Sequence, residues 1–339
     1  MWLIGRDKRC RAIIGLSIAA ASIPNAAMSR DLPDFEAIRQ SDLRVAQVGE
    51  RLAMANVALC HDTRNRTGLV LHDIAQYAPA FRDGALKSFV FERAISVEAV
   101  IPGSPADRAG VVQDAGLIAF DDEPIVSEEG KGDPFARMGR VLDREEALSA
   151  DGTLRLTLVK EARIVQVTIA PEKGCRSRFQ IALEGALNAS ADGTYVQIDG
   201  RMVDYVANDQ ELAALLAHEL AHNILNHPGR LTDAGVSRGL SGWLGRSAGL
   251  IRATEAEADR LSLYLMANAG YDPQVAVTFW DRLSARASLG FLSAPTHPGR
   301  KRRVAQLREE LTALDRLRAQ TATGQPLEPS FLKLKASSP

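Results

Sequence analysis

The spacing of apolar residues changes twice along this chain. From 34 to 59, Phe35, Ile38, Leu43, Val45, Val48, Leu52 and Val57 fall on or near one stripe at helical spacing, predicting an amphipathic helix that runs into Cys60. Residues 61–85 carry mixed signals and predict no definite element. From about Ser88 to Pro171 the pattern shortens to β runs: Phe89–Phe91, Val97–Ile101, Leu117–Phe120, Leu154–Val159 and Ile164–Ile169. A turn and short helix over Pro102–Val111, stopped by Gly110, and a helical stretch at 134–149 interrupt them. Beyond Cys175, Thr194–Gly200 alternates as a strand. A helix from about Asn208 to Asn226 follows, with Pro228-Gly229 as its stop. The Gly- and Ser-rich stretch 229–250 predicts a mobile loop, although Trp243, Leu244 and Leu250 make it apolar for a linker. Further helices are predicted over 252–269, 274–287 and 298–320. The expected fold class is α+β: a mainly helical unit with a small sheet, and a β-rich unit before it.

Composition changes this picture at the ends of the chain. With 339 residues, 46% hydrophobic and 24% charged at a net charge of −1, there is room for two cores and no charge excess that suits nucleic acid. The basic cluster Arg300–Arg303 is local and reads as the start of a solvated helix. The first thirty residues have the layout of a secretory leader: Arg6, Lys8, Arg9 and Arg11, then apolar Ala12–Ile23, then small residues around Ala26–Ser29. The apolar run is short for a bilayer, which needs ~20 residues, and no later segment reads as a span. The expectation is export, to a periplasm, with possible membrane association. Loss of the leader would remove Cys10 and leave Cys60 and Cys175, which bracket the β-rich segment and invite a disulfide. The expected organisation is a signal peptide at 1–29, a helix at 30–60 packing on the catalytic unit, a β-rich domain at 61–174, a catalytic domain at 175–320 and a loosely ordered tail at 321–339.

The chemistry is concentrated in His218-Glu219-Leu220-Ala221-His222. Two histidines four apart share a helix face and can point at one ion. Glu219 lies about 100° around the helix from His218, where it can act on water beside the ion without ligating it. A third ligand is needed for zinc. His227 follows His222 by five residues rather than the six that metzincins use, and Leu225 stands where their glycine would be. That spacing reads instead as a histidine near a helix C-terminus. Downstream, Thr254-Glu255-Ala256-Glu257-Ala258-Asp259 offers two alternatives. Glu255 and Asp259 share one face, while Glu257 lies about 200° from Glu255, so the residues alone leave Glu255 with Asp259, or Glu257 by itself.

HELAH followed by EAEAD resembles the CAAX-prenyl-protease/HtpX type of gluzincin metallopeptidase. The resemblance covers residues 176–310 and includes the strand TYVQIDG, the lead-in DQELAALLAHELAHN, the helix EAEADRLSLYLMANAGYDP, and Thr296-His297-Pro298 with Arg303. It implies a mainly helical zincin catalytic domain holding one Zn²⁺ per chain. His218, His222 and Glu255 would be its ligands and Glu219 the catalytic base. Asp259 and Arg303 would support the ligands, and His297 would approach the site as a gate or transition-state partner. Residues 88–171 resemble a PDZ domain of the bacterial protease-associated type, through PGSPADRAGV and the hairpin TLRLTLVKEARIVQVTIAP. This resemblance implies a possible peptide ligand for that module, although Ala115-Gly116 replaces the usual Gly-Asp.

These readings predict a metalloendopeptidase acting on envelope proteins, misfolded ones above all. The strand near 194–199 is expected to pair with an extended peptide substrate. The alternative is a periplasmic chaperone or adaptor with gated or absent proteolysis.

Overall fold

The computed structural model describes residues 33–125, 133–182, 187–236, 245–286 and 299–332. The leader, residues 237–244 of the 229–250 stretch and His297 lie outside them.

Helix α1 (Phe35–Ala55) opens the described chain. Asp34 caps it by accepting from the Ala37 amide, and Glu36 complements the N-terminal dipole. Val45, Val48 and Leu52 pack into the core of the helical unit. Arg39 reaches the other way, donating to the Glu98 carbonyl at 2.7 Å and pairing with Asp114 at 2.8 Å. One helix therefore braces both units.

The β-rich unit follows: β1 (Thr63–Arg66), β2 (Leu69–Asp73), α2 (Pro79–Ser88), β3 (Ile95–Val100), α3 (Pro105–Arg108), β4 (Gly116–Phe120), β5 (Glu123–Pro124), α4 (Pro134–Leu148), β6 (Leu154–Lys160), β7 (Arg163–Ile169) and β8 (Glu172–Cys175). Strands β2-β3-β4-β6-β7 form one sheet, with β5 on β4. Ile95, Val97, Phe120, Met138, Leu154, Leu156 and Ile169 fill its core beneath α4. The helix-covered sheet is the expected β-rich unit, and beside the mainly helical unit it makes the described chain α+β. Its entry and exit strands, β1 and β8, pair antiparallel, with Thr63 opposite Cys175. A Cys60–Cys175 disulfide closes this neck, with the two Cα atoms 5.5 Å apart.

Phe89–Phe91 is not a strand, contrary to its apolar alternation. Phe89 and Phe91 turn into an aromatic cluster with Phe35, His72 and Tyr77. Side-chain packing there replaces a ladder of backbone bonds.

The helical unit carries β9 (Arg178–Ala182), β10 (Ala189–Ala191), β11 (Tyr195–Asp199), α5 (Gly200–Tyr205), α6 (Asp209–Ile224), α7 (His227–Asp233), α8 (Gly245–Asn268), α9 (Gln274–Arg286) and α10 (Arg300–Gln320). Asn208 caps α6 by accepting from the Gln210 and Glu211 amides. Glu211 then takes a bidentate pair from Arg282 of α9, at 2.5 Å on both oxygens. From Glu211 to Ala221 every residue of α6 is buried, so this helix is the axis of the unit. It packs against α1, α8 and α9.

Three boundaries differ from the sequence expectation. Helix α6 ends before Pro228-Gly229, where Asn226 adopts a left-handed backbone with φ 49°; Pro228 and Gly229 lie inside α7. The expected loop at 229–250 is helical at both ends, over 227–233 and from 245. Strand β11 is the middle strand of the order β10-β11-β9, antiparallel to β10 and parallel to β9. Residues 194–199 therefore do not form an open edge, because ladders on both sides consume the backbone groups of β11. Among the described residues, no helix is long and apolar enough to cross a membrane.

Candidate metal centre

Helices α6 and α8 bring three ligand-type side chains together. His218 and His222 sit one turn apart on α6, and Glu255 faces them from α8. The two Nε2 atoms are 3.2 Å apart. Glu255 lies 3.6 Å from His218 Nε2 and 3.5 Å from His222 Nε2. Ligand atoms at ~2.0–2.1 Å from a tetrahedral zinc ion lie roughly 3.3 Å from one another, so the triangle fits that ion.

The outward nitrogens strengthen this fit. His218 Nδ1 is 3.0 Å from Asp259 Oδ1, and Arg303 donates to the same carboxylate oxygen. Asp259 lies one turn beyond Glu255 on α8. His222 Nδ1 is 3.0 Å from His227 Nδ1. With both Nδ1 atoms engaged outward, the two Nε2 lone pairs and a carboxylate converge on one point, an arrangement that a cation stabilises.

Electrostatics separate the two histidines. Burial pushes His218 down, but hydrogen bonds to Asp259 and Glu255 outweigh it and lift it to about 9. Burial holds His222 down at about 3, with Glu255 opposing and His218 and His227 reinforcing the shift. Burial would raise Asp259, yet Arg303 and His218 hold it below the usual carboxylate range.

Trp280 of α9 lies against the ligand His218 and its supporting Arg303. Its ring centroid is 5.0 Å from that of His218, and the Arg303 guanidinium carbon sits 3.5 Å from its centroid. Arg303 is only 2% exposed, so the N-terminal turn of α10 is locked into the site. Glu219, 8% exposed, lines the same cleft of about 280 Å³. Leu187, Asn188 and all of β10 line it too.

Two contributors escaped the sequence reading. Trp280 carried no metal-site signal beyond its place on an apolar helix face. His227, read as a histidine near a helix C-terminus, stands at the N-terminus of α7 and is fully buried against His222. Glu257 does not face the metal triangle; it lies 3.1 Å from His227 Nε2. His297 lies outside the described residues.

Two facing helices, an HExxH pair and a carboxylate from the second helix define a metallopeptidase-type centre. Residues 161–245 and 231–311, two overlapping stretches, match the sequence model of peptidase family M48. This part of the chain is similar to the peptidase domains of that family. Among similar proteins, the mitochondrial metalloendopeptidase OMA1 of Schizosaccharomyces pombe is 36% identical, over 30% of this chain and 36% of that protein. The beta-barrel assembly-enhancing protease of Escherichia coli K12 is 25% identical, over 60% of this chain and 47% of that protein. The chain thus spans less than half the length of these curated relatives. The solved HtrA3 PDZ domain, bound to a phage-derived ligand, is 20% identical over 33% of this chain and 89% of that one, at a TM-score of 0.25.

Proposed function

We propose that this chain is an exported zinc-dependent endopeptidase of envelope proteins, with His218, His222 and Glu255 holding one Zn²⁺ and Glu219 as general base. The observation that carries the reading is the triangle of ligand atoms at 3.2–3.6 Å with Glu219 in the same cleft. Zinc there supplies a Lewis acid that activates water and polarises a carbonyl. Glu219 takes the proton from the attacking water and returns it to the leaving amide nitrogen. Asp259 and Arg303 hold His218 in place through this cycle.

The substrate would lie along β10 rather than β11. Among the described residues, β10 pairs with β11 alone, and it lines the cleft. An extended peptide added to its other side would pass over the ligands. Leader-like residues 1–29 and the disulfide support an oxidising, extracytoplasmic setting.

Casein turnover with and without a chelator, run beside an aggregation-suppression assay, tests this reading. Cleavage that chelation stops and zinc restores is expected. Chelator-insensitive suppression of aggregation without cleavage would favour an adaptor instead.

A further inference from the structure

A second line of polar contacts leads away from the metal centre through His222. His222 Nδ1 meets His227 Nδ1 at 3.0 Å, and His227 Nε2 meets Glu257 Oε2 at 3.1 Å. That same Glu257 oxygen accepts from Arg230 Nη1 at 2.7 Å. On an unbroken helix His227 would point about 140° away from His222. The left-handed backbone at Asn226 breaks α6 and starts α7, and this reversal folds His227 back against the ligand.

The order of donors and acceptors along this line follows from its far end. Glu257, paired with Arg230, is an acceptor only. His227 Nε2 must then carry a proton to donate to it. A neutral His227 consequently has a bare Nδ1, which can only accept. The facing His222 Nδ1 must supply the proton, leaving His222 Nε2 as a lone pair directed at the metal triangle. The opposite tautomer of His222 would put its proton on Nε2 and could not ligate.

We infer that His227 and Glu257 are positioning residues that fix the metal-binding tautomer of His222, as Asp259 and Arg303 orient His218. Each ligand histidine then has its own anchored carboxylate, one direct and one relayed through an imidazole. This inference rests on the zinc-site reading of the preceding subsection, and goes beyond it by assigning residues outside the ligand triangle.

The test is zinc affinity of the apo full chain, measured by competition with a chromophoric chelator, with the apo melting temperature recorded for each variant. His227→Ala is expected to bind zinc ~10–100-fold more weakly, the range for lost support of a ligand histidine. His227→Gln restores an acceptor towards His222 and a donor towards Glu257, and is expected to recover most of that loss. Glu257→Gln keeps side-chain volume at a partly exposed helix position, so its fold is secure; it is expected to fall between wild type and His227→Ala. Unchanged affinity in both His227→Ala and Glu257→Gln overturns the inference. So does a His227→Gln variant no better than His227→Ala at equal apo melting temperature. Affinity is read without substrate, so a wild type that binds zinc but cleaves nothing overturns the endopeptidase reading and leaves this inference standing.

Discussion

Replacing Arg303 by Met removes a buried charge while keeping an unbranched side chain of similar reach. Arg303 and Asp259 are 2% and 4% exposed at their side chains, so neither is solvated. Without the guanidinium, Asp259 keeps His218 as partner at 3.0 Å but loses its fixed counter-charge. Because metal-free His218 stays protonated beside it, Asp259 is not left unpaired, and losing the guanidinium's charged hydrogen bond costs about 1.5–3 kcal/mol, a sizeable share of a total stability of ~5–15 kcal/mol. Stacking over Trp280 at 3.5 Å separates charge from shape. Arg303→Lys retains the charge but not the planar fork, and is expected to cost less, ~1–2 kcal/mol. The assay is urea unfolding of chelated protein followed by circular dichroism. Asp259→Asn and the double variant complete a mutant cycle, with an expected coupling of ~2–3 kcal/mol. An Arg303→Met cost below ~1 kcal/mol, or additive single effects, would refute the view that a buried charge pair fastens α10 to the site.

Other consequences can be measured separately. The Cys60–Cys175 bridge spans 115 residues, and Cys60→Ala with Cys175→Ala is expected to lose ~2–5 kcal/mol, read by thermal melting of the oxidised and double-Ala proteins; equal melting temperatures would contradict this. His218, lifted to about 9 in the metal-free site, keeps its proton until pH rises through that value. Zinc must displace this proton, so affinity should climb with pH up to about 9 and then level off. Calorimetry in buffers of different ionisation enthalpy near pH ~8 should find ~0.9 proton released from His218, whereas an unshifted histidine would release almost none.

Much of the site was legible because helical spacing is a local property. HELAH places two imidazoles on one face whatever surrounds them, and Glu255 and Asp259 are likewise one turn apart. Spacing alone left Glu257 open; the structure turns it towards His227 instead. His227 was misread because the break at Asn226 is a single-residue backbone event, and a five-residue separation means something different once the helix stops. The edge strand was misplaced for another reason. Alternation along Thr194–Gly200 reports which face each side chain takes, not which strands lie alongside, so the central place of β11, and the pairing of β10 with β11 alone among the described residues, required the sheet order. Phe89–Phe91 shows the same limit: alternating aromatics satisfied a side-chain cluster without forming a ladder.

The central claim is that Glu219 works on water at an ion held by its neighbours without holding that ion itself. Zinc content and casein cleavage measured together on wild type and Glu219→Gln test it most directly. One zinc per chain in both proteins, with cleavage lost only in Glu219→Gln, is the predicted result. A wild type that binds no zinc, or a Glu219→Gln variant that still cleaves at the wild-type rate, would contradict it.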